Sequence, residues 1–175
     1  SGYSWSAFVE TQGAWPNSWL IFSAPPFLIF GFVVFYICGL IVFQIRPFDT
    51  DQFAEEISGG IGNQLSGGHL WALRIKESFC FFLWSLISVV VFLGGWSLPE
   101  FVIRFFGEES LALRLIELVV LLVKTYVLMV VAWLVILSQS RLRVDHVTDF
   151  TWKVLSPASL VILTGVLIWQ SIFGT

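Results

Sequence analysis

Charge is scarce in this chain. It holds 9 Lys and Arg and 12 Asp and Glu in 175 residues, and none between Glu10 and Arg46. A net charge of −3, with pI near 5.3, leaves no clustered basic surface of the kind that phosphate binding needs, which sets nucleic acid aside as a partner. His69 and His146, the 2 histidines, have no second ligand at metal spacing, and Cys38 and Cys80, the 2 cysteines, lie in apolar surroundings without a CxxC pattern. Neither a zinc nor a redox centre is expected, and inert buried thiols are. No Ser, Cys or His arrangement suggests nucleophilic catalysis. The stretch SGGIGNQLSGG lacks the GxGxxG spacing because Leu65 takes the third glycine position, so a dinucleotide site is not expected there. Internal repeats and low-complexity tracts are absent too. Residue 1 is Ser and the only Met is Met129, which suggests a processed product, a fragment or a partial chain. The opening SGYSWSAFVETQ has no basic region of the kind that begins a signal peptide.

Hydrocarbon is what the chain has in excess: 57% hydrophobic residues, 12% charged and a mean hydropathy of +0.88, outside the range of soluble domains. The runs are continuous rather than alternating, and a helix satisfies its own backbone in lipid, so an all-α membrane protein is expected. About four spans of roughly 20 residues fit the pattern. They cover about 19–45, 78–98, 111–139 and 150–173 within a single membrane domain, 1–175, and a long polar loop, 46–77, joins the first two. Pro25 and Pro26 predict a late start or a kink in the first span. This topology puts Arg46, Arg74, Lys76, Arg141, Arg143 and Lys153 on one side and only Arg104 and Arg114 on the other. The polar loop is therefore expected on the cytoplasmic side, or the matrix side in a mitochondrion. Trp15, Trp19, Trp71, Trp96 and Trp152 fall near span ends, where an amphipathic ring is favoured.

The loop is the one long polar passage, with Asp49, Asp51, Glu55, Glu56 and Glu77 beside Arg46, Arg74 and Lys76. Taken alone, it reads as a solvated connection. Interleaved Ile57, Ile61, Leu65 and Trp71 suggest instead a loop packed against something, where partial desolvation would raise carboxylate pKa values towards those of a proton relay. Lys124 is a charge inside the third span, retained mostly where it faces protein or water. Glu117 lies two turns earlier on roughly the same face, too far for a direct ion pair. Arg141, Arg143 and Asp145 read most simply as a basic anchor with a polar turn.

Taken together, RPFD, EEISGG, LSGG, KESF, LGGW and RLRVDHVTDFTWKVLSPASL resemble the C-terminal half of the quinone-channel subunit of respiratory complex I, known as subunit 1 in mitochondria and as the H subunit in bacteria. The register holds without a gap from Pro47 to Glu77, and the likeness covers nearly the whole chain. Residue by residue, Pro47, Phe48 and Asp49 match the PFD turn, Glu56 matches the Glu of the family's ELV triplet, and Glu77 matches the Glu of AEY. Arg141, Arg143 and Asp145 match RxRxD, and Trp152, Lys153 and Pro157 match WK and the following proline. The resemblance implies a quinone channel lined by this loop and the start of an acidic proton-coupling path. Glu56 and Glu77 would be its carboxylates, while Arg46, Phe48, Asp49, Arg141, Arg143 and Asp145 would shape the loop and its contacts.

Departures from the family pattern thin that path. Val42 stands where the family has Glu, Arg46 is displaced by one position, and Gln52, Ala54 and Gln64 replace acids. Ser140 and Ile136 replace a proline and an arginine. A neutral Gln cannot carry a proton by ionisation, which leaves Glu55 as the nearby substitute. The family's first half is missing, so the chain is expected to be one piece of a split subunit whose other half is a separate chain. The expected whole is a multisubunit, proton-translocating NADH:quinone oxidoreductase in the mitochondrial inner membrane, or alternatively the bacterial plasma membrane. Quinone would be its substrate, with flavin and iron–sulfur clusters on partner subunits, and this chain would bind no cofactor and no metal alone. Alternatives are the equivalent subunit of a membrane-bound hydrogenase and a structural scaffold that has lost the chemistry.

Overall fold

The computed structural model describes residues 9, 12, 19–24, 26–45, 48, 67–98, 111–138 and 143–173. Among them the chain is helical with no strand: α1 (Leu20–Ser23), α2 (Phe27–Val42), α3 (Gly68–Phe92), α4 (Leu111–Ser138), α5 (Val144–Phe150) and α6 (Ser156–Phe173), the last two joined by a π-helical turn, Thr151–Leu155. Among the described residues three helices are long and apolar enough to cross a bilayer, in the windows Ile75–Phe92, Leu111–Ser138 and Val144–Ile172. The chain is an all-α integral membrane protein.

α2 is apolar throughout but has 16 residues, about 24 Å at ~1.5 Å per residue, against a hydrocarbon core of roughly 30 Å. The break ahead of it falls at Ala24 and Pro26, where the prolines point. Its far end closes in a Schellman motif: Ile45 N–H bonds Leu40 O at 2.9 Å, Gln44 N–H bonds Ile41 O at 3.1 Å, and Gln44 has φ +52°. α3 begins at Gly68, ahead of the crossing window that opens at Ile75, so the last part of the expected polar loop, from Gly68 to Glu77, is helical. The π turn has a covalent cause. Pro157 lacks the N–H that would bond Lys153 O, and its ring would crowd that carbonyl, so the helix widens over Thr151–Leu155, just before it.

α3 is the central helix. It packs on α4 and α2, and α2 in turn packs on α6. Within the crossing windows, 33% of α3 is buried against 11% for α4 and 11% for the helix that ends in α6. Helices in lipid gain little from apolar burial and approach closely where small residues allow. Gly39 has no room for a side chain because the Trp84 indole lies across it, donating Nε1–H to Tyr36 O at 3.3 Å. At the α2–α6 contact Gly165 meets Phe27, and Gly31 meets Ile162. Ser85 donates to Phe81 O at 2.9 Å, so the Tyr36 hydroxyl donates to Ser85 Oγ, also at 2.9 Å. Two polar groups are thus satisfied between α2 and α3.

Candidate functional site

At the loop end of the bundle, Tyr36 and Leu40 of α2, Phe81 of α3, Ala132 of α4 and Val147 of α5 enclose Phe48 in one buried cluster. Phe48 N–H bonds Ile45 O at 2.9 Å, one turn after α2 closes. The aromatic ring of the PFD motif therefore tucks the start of the polar passage onto the bundle. Glu77 lies half-buried on α3, two residues into its crossing window and next to Ser78. Ser78 lines an open groove between α3 and α4 with Trp71, Ile75, Phe79, Phe82 and Met129.

Arg143 and Asp145 come together at the start of α5. Arg143 Nε lies 3.0 Å from Asp145 Oδ2, with both side chains exposed. Asp145 occupies the first turn, where the helix dipole favours an anion. Such an exposed pair contributes little stability and shapes the surface of the turn. Lys153, on the π turn, pairs with Asp149 at 2.7 Å, a contact not anticipated from sequence although the i,i+4 spacing signals it. Glu55, Glu56, Asp49, Arg46 and Arg141 lie outside the described residues.

Lys124 is resolved by its partners. Its Nζ donates to Leu93 O at 3.1 Å and Gly95 O at 3.0 Å and sits 4.4 Å from the centre of the Trp19 ring. Those carbonyls follow the end of α3, where the helix dipole is negative and backbone acceptors lack intrahelical partners. Gly94 (φ +68°) and Gly95 (φ +53°) of the LGGW motif reverse the chain here, and Gly95 N–H reaches back to Val89 O at 3.1 Å. A side chain at Gly94 would strike Trp19, whose Nε1 donates to Ser97 Oγ at 3.2 Å. Gln12 Nε2 donates to Val91 O at 2.9 Å, and Gln12 Oε1 is buried with no partner among the described residues. Lys124 thus serves as the cap of a neighbouring helix. Glu117 stands on the same helix, two turns earlier, but it is backbone rather than a carboxylate that holds the ammonium. Gln12 and Trp19 were not singled out for this role from sequence. The usable signal was a lone mid-span lysine opposite a GG turn.

Among the described residues no group of three or more His, Cys, Asp or Glu could hold a metal ion, and Cys38 and Cys80 are free thiols.

A family model described as NADH dehydrogenase matches residues 1–167. The chain belongs to this family. It is 29% identical over 183 residues to the H subunit of the NADH-quinone oxidoreductase of Anaeromyxobacter dehalogenans, covering 95% of this chain and 43% of that protein. To the corresponding NADH-quinone oxidoreductase protein of Bacteroides fragilis it is 25% identical over 169 residues, covering 97% and 46%. Similarity extends to the H subunit of the F(420)H(2) dehydrogenase of Methanosarcina mazei, 32% identical over 116 residues, or 66% of this chain and 32% of that one. The chain spans less than half the length of these curated relatives. Within this chain the LGGW stretch is a helix reversal closed by Lys124, and Phe48 pins the chain beyond α2 onto the bundle.

Proposed function

We propose that the chain is part of the membrane arm of a proton-translocating NADH:quinone oxidoreductase, helping to form its quinone channel and the first part of an acidic coupling path. The family match over residues 1–167, with two relatives named as NADH-quinone oxidoreductase subunits, carries this reading. Glu56 and Glu77 are the proton-coupling carboxylates, with Glu55 as the local substitute where Gln52, Ala54 and Gln64 have replaced acids. Glu77 suits the role by its position: it is half-buried where α3 enters the bilayer, the setting in which a carboxylate exchanges protons between an aqueous loop and a protein interior. Phe48 acts through packing, holding the turn that carries Arg46 and Asp49. Arg143 and Asp145, exposed and paired, form with Arg141 the surface offered to the peripheral arm. Flavin and iron–sulfur chemistry belongs to partner subunits. The polar loop faces the matrix of a mitochondrion or, alternatively, the cytoplasm of a bacterium.

The similarity to an F(420)H(2) dehydrogenase protein favours a second reading, in which the same membrane unit serves an enzyme with a different electron donor. Glu56→Gln and Glu77→Gln in the assembled enzyme test the carboxylate roles. Impaired quinone reduction or pumping is expected, and unchanged rates of both would remove those roles and favour a scaffold that has lost the chemistry. The donor is decided on the purified particle, by which reduced cofactor it oxidises.

A further inference from the structure

Beyond the end of α3 one buried polar atom is left over. Gln12, 6% exposed, donates Nε2–H to Val91 O at 2.9 Å and reaches Val90 O only at 3.5 Å, the limit of a hydrogen bond. Its Oε1 is buried and has no hydrogen-bond partner among the described residues. A buried acceptor without a donor is costly, and buried water commonly supplies the donor. Lys124 does not supply it directly. Two of its three N–H donors go to Leu93 O at 3.1 Å and Gly95 O at 3.0 Å, with the centre of the Trp19 ring 4.4 Å from Nζ.

Both side chains bond carbonyls of one short stretch, 90–95, and the segments around them close over it. A side chain at Gly95 would meet Val9, which is 3% exposed, and one at Gly94 would strike Trp19. Charge narrows what can stand between Gln12 and Lys124. An anion would face Gln12 Oε1 and a row of carbonyls, and a metal ion would face the ammonium. An apolar molecule would leave Oε1 without a donor. A small neutral molecule that both donates and accepts meets every requirement: it accepts the third N–H of Lys124, gives one hydrogen to Gln12 Oε1 and gives the other to Val90 O. About three such bonds are the usual complement of a buried water.

We propose that Gln12 and Lys124 hold one structural water molecule between them at the end of α3. The water ties the segment ahead of α1 to α4, across the reversal that follows α3. The site does not rest on the enzyme reading, so each can fail without the other.

The test is a cryo-EM map of the native assembled particle at a resolution that shows ordered water. We expect a discrete peak about 2.7–3.2 Å from both Gln12 Oε1 and Lys124 Nζ. A map with no peak there, or with the ammonium bonded directly to Oε1, would overturn the proposal. So would a peak about 2.4 Å from several oxygens, the spacing of a metal ion. The same map of Gln12→Met, which keeps the length of the side chain and removes its polar atoms, should lose the peak while Lys124 stays on Leu93 O and Gly95 O. A peak that survives Gln12→Met would remove Gln12 as a ligand and overturn the site. Where that variant fails to assemble, the native map decides by itself.

Discussion

The two ends of this helical bundle are held by opposite physics. At the loop end, the Phe48 side chain is held by packing among Tyr36, Leu40, Phe81, Ala132 and Val147, with its backbone N–H on Ile45 O. At the other end, where α3 stops, Gln12 and Lys124 spend their polar groups on backbone carbonyls while the Trp19 ring covers the ammonium. The contrast follows from what each end must satisfy. A helix that ends inside a protein in lipid leaves carbonyls without partners, and only donors brought by other segments can meet them. A turn that leads into a polar passage has the opposite need, an apolar peg that stops the passage from drifting away from the bundle. Polar residues at the far end therefore bond to backbone, while at the loop end Glu77 is half-buried on α3 and Arg143 and Asp145 pair with each other in the open.

Removing the peg has the largest expected effect. Phe48→Ala deletes a buried ring from a six-residue cluster, and such truncations cost about 3–5 kcal/mol. Thermal unfolding of the assembled particle in detergent should show the loss, together with faster proteolysis between residues 46 and 67. Phe48→Leu, which keeps most of the volume, should restore much of it. An unchanged midpoint for Phe48→Ala would break the comparison at the loop end.

Lys124→Met comes next. It keeps the length and apolar stem of the side chain but removes both bonds to Leu93 O and Gly95 O. Hydrogen bonds from charged groups contribute about 1.5–3 kcal/mol, and relief from holding a charge at that depth returns part of it, so a net loss of about 2 kcal/mol is expected. The measurement that separates a cap from a proton carrier is the ratio of protons pumped to quinone reduced in the particles that survive. A cap leaves that ratio unchanged while stability falls. A changed ratio at normal stability would place chemistry at the end where the structure places only architecture.

How far each end could be read from the sequence differs for the same reason. Continuous apolar runs disclose membrane helices because lipid demands them, and the prolines before Phe27 disclose the break there. Lys124 was visible as an anomaly, yet its partners are carbonyls, which every residue carries and no side chain announces. Phe48 was visible as part of a motif, but its burial depends on α2, α3, α4 and α5 converging, which is tertiary information. Arg143 and Asp145 were expected to shape the RxRxD turn, and their pairing at the head of α5 is local enough to follow from spacing. Glu55, Glu56, Asp49, Arg46 and Arg141 fall outside the described residues, so the acidic path rests on motif register alone.

The smallest expected effect lies in the link between α2 and the Phe48 turn. Gln44 holds φ +52° at the αL position of the Schellman motif, the place where glycine is usual because a Cβ is strained there. Relief of that strain by Gln44→Gly is offset by the greater freedom glycine has in the unfolded chain. A net gain of about 0.5 kcal/mol is expected, read as a slightly higher unfolding midpoint with quinone reductase activity unchanged. If the midpoint falls instead, the Gln44 side chain contributes a contact worth more than the strain, and the loop end is then held by polar bonding as well as by packing.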